Sequence, residues 1–197
     1  MADKWIFWFN ELRSKHNDMV GKKCANLGEM VHLGMRVPPG FAISVDGYER
    51  FMQTTGAGQE IREYVRKNKE DLKDAVGKQV EASRFIRSVI QSKPMPEDMK
   101  LTLWKHYEQL CEQLKCTDVP VAIRSSGAIS MPGQMETYLN VCGKKEIIEK
   151  VIQVWGSAFT TRAIAFRLEN NMELDKAPIG VAVLKMVNAK CAGVTLT

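Results

Sequence analysis

Val121-Ala122-Ile123-Arg124-Ser125-Ser126-Gly127, followed by Met131-Pro132-Gly133-Gln134-Met135-Glu136-Thr137, is the stretch on which the reading of this chain turns. A short apolar strand runs into an arginine. A loop of small residues follows, closed by Pro-Gly and then by polar hydrogen-bonding groups. Glycine and serine impose little bulk, so backbone N–H groups can point at anionic oxygens. Arginine stays charged and offers a planar fork of donors suited to phosphate. The pattern points to a nucleotide phosphate site. Taken alone, it is equally consistent with a strand, an exposed arginine and an ordinary surface turn.

Working outward, Val119, Val121 and Ile123 alternate as a strand leading to Arg124, and Tyr138, Leu139 and Val141 suggest a second strand after the loop. Upstream the chain is helical. Leu72, Val76, Val80, then Phe85, Ile86, Val89 and Ile90 follow helical spacing. Pro96-Glu97-Asp98 opens a further helix, with acids near the positive end of its dipole. Met99, Leu103, Tyr107, Leu110, Cys111 and Leu114 make one apolar stripe, which reads as core packing rather than a cofactor box. Segments 54–59 and 92–96 are the best linkers. Downstream, Glu146 to Asn170 reads as one long helix, with Ile147, Val151, Trp155, Phe159 and Phe166 on its broad apolar face and Arg162 and Arg167 off it. Ile179 to Val187 and Cys191 to Thr197 read as two strands of a hairpin turning at 188–190. At the other end, residues 5–9 read as a buried strand or a first helical turn. Cys24 to Gly34 reads as a helix stopped by Gly34, and Phe41 to Ser44 as a strand after the extended turn at Val37-Pro38-Pro39-Gly40. The expected class is α/β (α+β): a mixed or antiparallel sheet with flanking helices and a helical middle segment. The last residues read as a strand that simply ceases, the expectation for a fragment or a piece of a larger assembly.

Composition narrows the partners. The chain has 197 residues, 45% hydrophobic and 26% charged, as for a soluble globular protein able to bury a core without staples. A net charge of +5 suits an anionic ligand, but the bases are interleaved with acids, as in Arg66-Lys67-Asn68-Lys69-Glu70-Asp71, so no nucleic acid is expected. Five scattered cysteines without a C-x-x-C, and three histidines (His16, His32, His106) outside any ligand pattern, give no metal site and suggest reduced thiols in the cytoplasm. The run Trp5-Ile6-Phe7-Trp8-Phe9 is far short of the roughly 18 apolar residues a membrane helix needs, so no membrane is expected.

Several segments together resemble the phosphoenolpyruvate synthase and pyruvate phosphate dikinase family. They are Trp8-Phe9-Asn10-Glu11-Leu12, Gly21-Lys22-Lys23-Cys24-Ala25-Asn26-Leu27-Gly28-Glu29-Met30, Val37-Pro38-Pro39-Gly40-Phe41, the Arg124 loop, Gly156-Ser157-Ala158-Phe159 with Arg162 and Arg167, and Ala192-Gly193-Val194 with Thr197. They occur in order over nearly the whole chain. The resemblance implies the first lobe of an ATP-grasp domain over 1–197, with a helical insertion at about 59–116. It implies that the second lobe, the swivelling histidine domain and the acceptor domain lie elsewhere, in the same full-length chain or another subunit. It implies an ATP-dependent phosphotransferase in which a phosphoryl group passes from ATP to a histidine on another domain and then to a pyruvate-like acceptor. Relatives that phosphorylate phenol or rifampicin leave phenol as an alternative acceptor, and a non-catalytic scaffold or regulatory lobe is the other alternative.

By the same resemblance, Lys23 and Arg124 contact the ATP phosphates. The plain alternatives are a solvent-exposed lysine at a helix start, which the dipole disfavours, and an arginine ion-paired at the surface. Gly133, Gln134 and Thr137 match the loop over the phosphates, and the backbone of Lys185, Met186 and Val187 matches the stretch bordering the adenine. No catalytic residue is implied within the chain. Mg2+ is implied, with ligands on the missing lobe. Two positions depart from the family pattern. Lys22 replaces a usual glycine, removing backbone freedom, and Leu184 replaces a frequent glutamine near the adenine.

Overall fold

The computed structural model describes residues 4–129 and 135–193. Its strands are β1 (Ile6–Trp8), β2 (Gly40–Ile43), β3 (Val121–Ser126), β4 (Thr137–Val141) and β5 (Gly180–Lys185). Its helices are α1 (Asn17–Val20), α2 (Lys22–His32), α3 (Val45–Thr54), α4 (Ala57–Asp74), α5 (Val76–Ser92), α6 (Glu97–Gln113), α7 (Lys144–Ser157) and α8 (Thr161–Glu169). The sheet runs β1-β2-β5-β3-β4 and every pairing is antiparallel.

Side chains alternate across the sheet, and each face meets a different partner. One face carries Ile6, Phe41, Ile43, Val121, Ile123, Val181 and Val183, all buried in the main core with Tyr107, Trp155 and Phe159. Each fully buried aliphatic or phenyl side chain there contributes about 1.5–3 kcal/mol. The stripe of α6 faces this core, with Met99, Leu103 and Leu110 at 0% exposure. The opposite face is built of small residues, Ala42 and Ala182, so that α2 lies close against it through Cys24 and Ala25. α2 ends in a Schellman turn: Met35 N–H donates to Met30 O at 3.0 Å and Gly34 N–H to Val31 O at 3.1 Å, with Gly34 at φ +74°.

Three expectations are corrected. The long helix of 146–170 is two helices. Thr160 caps the second, its hydroxyl accepting from Ala163 N–H at 3.2 Å. At the corner, Arg167 donates to Ala158 O at 2.7 Å and lies 5.4 Å from the centre of the Phe159 ring. Arg167 is therefore buried, not displayed on an outer face.

The hairpin over 179–197 does not form among the described residues. β5 is the central strand, already paired on both edges by β2 and β3, and residues 191–193 are not strand. Met186 N–H turns away to Pro120 O at 2.8 Å. Residues 194–197 lie outside the described residues.

The spacing of Leu72, Val76 and Val80 spans a break at Ala75, which is extended (φ −136°, ψ 114°). Leu72 packs on Ala82, Ile164 and Leu174, whereas Val76 and Val80 face solvent. No described helix is long and apolar enough to cross a membrane.

Candidate functional site

The candidate site is a joint between the end of β3 and the start of α2. Gly21, at φ +80° and ψ 159°, lets the chain enter α2 directly against β3. Lys22 N–H donates to Gly127 O at 3.0 Å and Cys24 N–H to the Ser126 hydroxyl at 3.1 Å. The start of a helix leaves its first N–H groups without intrahelical partners, and β3 here supplies acceptors for two of them. The Lys23 ammonium crosses the same joint and donates to Ser125 O at 2.9 Å.

Ser125 and Ser126 are thus not loop residues opening toward an anion. They are the last residues of β3, both buried, and they fasten the helix to the sheet. Their small size was legible in the sequence. Their inward role was not, because their partners lie about a hundred residues away.

Arg124 stands opposite Ala182 of β5 and Thr137 of β4. Ala182 packs with Cys24 and Ala25 of α2. The register therefore puts Arg124 and Thr137 on the same sheet face as α2, beside Lys23. Lys23 and Arg124 are both solvent-accessible. The Lys23 ammonium is held below the ordinary lysine range, first by partial desolvation and then by repulsion from the Arg124 guanidinium. Among the described residues, neither cation forms an ion pair with a carboxylate. Two cations held together without a counter-charge make a surface that attracts an anion.

Gly133 and Gln134 lie outside the described residues. Thr137 is described, and its neighbour Glu136 is tied down from two sides: Arg87 of α5 makes an ion pair with it at 2.6 Å, and the Tyr138 hydroxyl donates to it. Burial, followed by the Glu136 carboxylate, pushes the Tyr138 phenol above its ordinary range. Nothing in the sequence marks the Arg87–Glu136 pairing, which spans 49 residues.

Lys185, Met186 and Val187 stand at the other end of the same strands. Lys185 pairs with Val121, three residues from Arg124, which is about 10 Å along the sheet. The Lys185 side chain points to the face away from Arg124, so Lys185 itself meets the cation face only through its backbone. The N–H groups of Lys185 and Met186 donate to Pro39 O and Pro120 O at 2.9 and 2.8 Å. The Val187 N–H has no acceptor among the described residues. Leu184, by contrast, lies on the cation face, half-buried and paired with Ala122, and forms a small apolar shelf. Lys22 is the first residue of α2 and exposed, at an ordinary negative φ, so the position needs no glycine. The glycine that the joint needs is Gly21.

The buried Cys24 thiol lies under the joint. Desolvation pushes it up to about 12, so it stays a protonated thiol and poor nucleophile in the folded protein. Alkylation with iodoacetamide at pH 8, read by peptide mass spectrometry, is expected to label the exposed Cys116 and Cys191 and to spare Cys24 until denaturant is added. Early labelling of Cys24 in the native protein contradicts the closed joint.

Comparison with known proteins adds an independent observation. The family described as pyruvate phosphate dikinase, AMP/ATP-binding domain, matches residues 17–197. A probable phosphoenolpyruvate synthase of Methanocaldococcus jannaschii is 38% identical over 98% of this chain and 17% of its own length. A probable phosphoenolpyruvate synthase of Methanothermobacter thermautotrophicus is 36% identical over 98% of this chain and 29% of its own length. The phosphoenolpyruvate synthase of Aeropyrum pernix is 35% identical over the whole chain and 24% of its own length. The chain thus spans less than a third of the length of these relatives.

Proposed function

Because this chain belongs to the pyruvate phosphate dikinase AMP/ATP-binding domain family, we propose that it forms one wall of an ATP cleft in a phosphoenolpyruvate synthase-like phosphotransferase. What supports the reading is the meeting of Lys23 and Arg124 on one sheet face without a carboxylate ion pair among the described residues. Bound ATP would supply a phosphoryl group, which we propose passes to a histidine of another domain and on to a pyruvate-like acceptor. The relatives named phosphoenolpyruvate synthase support that acceptor.

The chain's own residues bind and orient. Lys23 offers a compact charge whose position is set by Ser125 O. Arg124 presents a planar fork to phosphate oxygens, and Thr137 adds a hydroxyl from the opposite strand. About 10 Å away, the Val187 N–H is a donor for the edge of a purine ring, and Ala122 with Leu184 underlies its face. Fixed cations aimed at the phosphates lower the cost of the charge that develops during phosphoryl transfer. We propose that Mg2+ accompanies the nucleotide, with ligands from a second lobe outside this chain. The five free cysteines fit a reducing, cytoplasmic setting.

A phenol acceptor or a non-catalytic scaffold has no support of its own on this chain. Lys22 occupies an unstrained helical position and Leu184 keeps an apolar shelf, so neither departure spoils the joint. Calorimetric titration of the natural full-length protein with ATP tests the reading. Lys23→Ala is expected to weaken binding roughly tenfold or more. Unchanged ATP affinity in that variant removes Lys23 from the site.

A further inference from the structure

A second cluster of cations lines a hollow between α5 and α8 that includes neither Lys23 nor Arg124. The hollow measures ≈ 420 Å³ and is lined chiefly by Ser83, Arg84, Arg87 and Gln91 of α5 and by Thr161 of α8. The α5 residues recur at three- and four-residue spacing, so they share one helical face. Thr161 is the first residue of α8, a nine-residue helix whose start brings a partial positive charge to the hollow.

The donors in the hollow are incompletely used. Arg84 is exposed and makes no ion pair with any described carboxylate. Arg87 gives one N–H to Glu136 at 2.6 Å. A guanidinium carries five N–H donors in all. Ser83 is only 6% exposed, yet no described residue hydrogen-bonds its hydroxyl. Unlike the Tyr48 hydroxyl and Trp155 Nε1, it is not sealed from solvent, so it opens into the hollow and can donate to what fills it. Two arginines, an unpartnered serine hydroxyl and a helix start converging from two helices match the donor demand of a tetrahedral oxyanion. Glu136, which pairs with Arg87, is itself engaged by both Arg87 and Tyr138.

We propose that this hollow binds a phosphate group, carried either by inorganic phosphate or by a small phosphomonoester. Arg84 and Arg87 neutralise its charge, and Ser83 and Thr161 donate to its oxygens. Its lining shares no residue with the nucleotide face, and Arg87 links the two, because it also holds the residue preceding Thr137.

The test is a titration of the natural full-length protein with inorganic phosphate and, in parallel, with methyl phosphate, followed by 31P line broadening. Saturable binding is expected, and Arg84→Gln is expected to weaken it roughly tenfold. Arg84 is exposed, so folding is not at risk in that variant. Ser83→Ala is expected to weaken it severalfold. Tighter binding of inorganic phosphate names the free ion as ligand, and tighter binding of methyl phosphate names an ester. Retention of binding in Lys23→Ala separates this hollow from the nucleotide site. An affinity unmoved by Arg84→Gln, binding abolished by Lys23→Ala alone, or no saturation with either probe overturns the proposal. The ATP titration of the same Lys23 variant reads the nucleotide site independently.

Discussion

Arg124→Ala is expected to weaken ATP binding by roughly ten- to 150-fold while leaving the fold intact. A hydrogen bond to a charged group is worth about 1.5–3 kcal/mol, which converts to that range of affinity. The residue is exposed and makes no ion pair or side-chain hydrogen bond among the described residues, so its removal breaks none of these. The change also relieves repulsion on Lys23, whose ammonium is held below its ordinary range by desolvation and then by Arg124. Stability should therefore stay within about 0.5 kcal/mol of the parent, or rise slightly. Calorimetry with ATP and a thermal melt on the natural protein measure both effects. A large loss of stability with unchanged ATP affinity would show that Arg124 is a structural residue.

Gly21→Ala should have the largest effect on the fold. Gly21 sits at φ +80° and ψ 159°, a region that only glycine occupies cheaply. An added Cβ would lie 1.9 Å from Ser126 O and 2.3 Å from its carbonyl carbon. Both are backbone atoms, so no side-chain rotation relieves the clash. Either the end of β3 shifts or α2 lifts away, and the bonds from Lys22, Cys24 and Lys23 to residues 125–127 are lost with it. Strain of about 1–3 kcal/mol and three lost hydrogen bonds of about 1 kcal/mol each bring the cost to about 4–6 kcal/mol. That is a large part of the roughly 5–15 kcal/mol that holds a domain together. The expected melting shift is about 8–24 °C downward, with ATP binding lost alongside. Gly34→Ala is the control: Gly34 has φ +74° with no atom within 4 Å of an added Cβ, so it carries the strain without the clash. Equal melting shifts for the two variants would contradict a tight joint.

The strands at Phe41 and Val121 and the apolar stripe of α6 were legible because each is a local pattern whose period matches its structure. The same reasoning ran past Thr160. Helical spacing of apolar residues persists through the corner at Ala158–Thr160, and only the cap marks the break. A threonine three residues before the bonded Ala163 N–H was a usable signal that periodicity overrode. Arg124 stood out at the end of an apolar strand. Glu136 and Arg87 did not, since an ion pair between half-buried charges far apart in the chain leaves no trace in spacing.

The sequence by itself determined the strands at Phe41 and Val121, the helices of 24–34 and 97–113, the family to which they belong, and that a lysine and an arginine were available for an anion. Tertiary structure alone decided that β5 sits between β2 and β3, that Arg167 turns inward, and that Ser125 and Ser126 bind the helix rather than a ligand. The reason is separation along the chain. Local periodicity is set by neighbours within a few residues, whereas Lys23 meets Ser125 across 102 residues. Such a contact follows from strand order and register, which the packing of both sheet faces settles together.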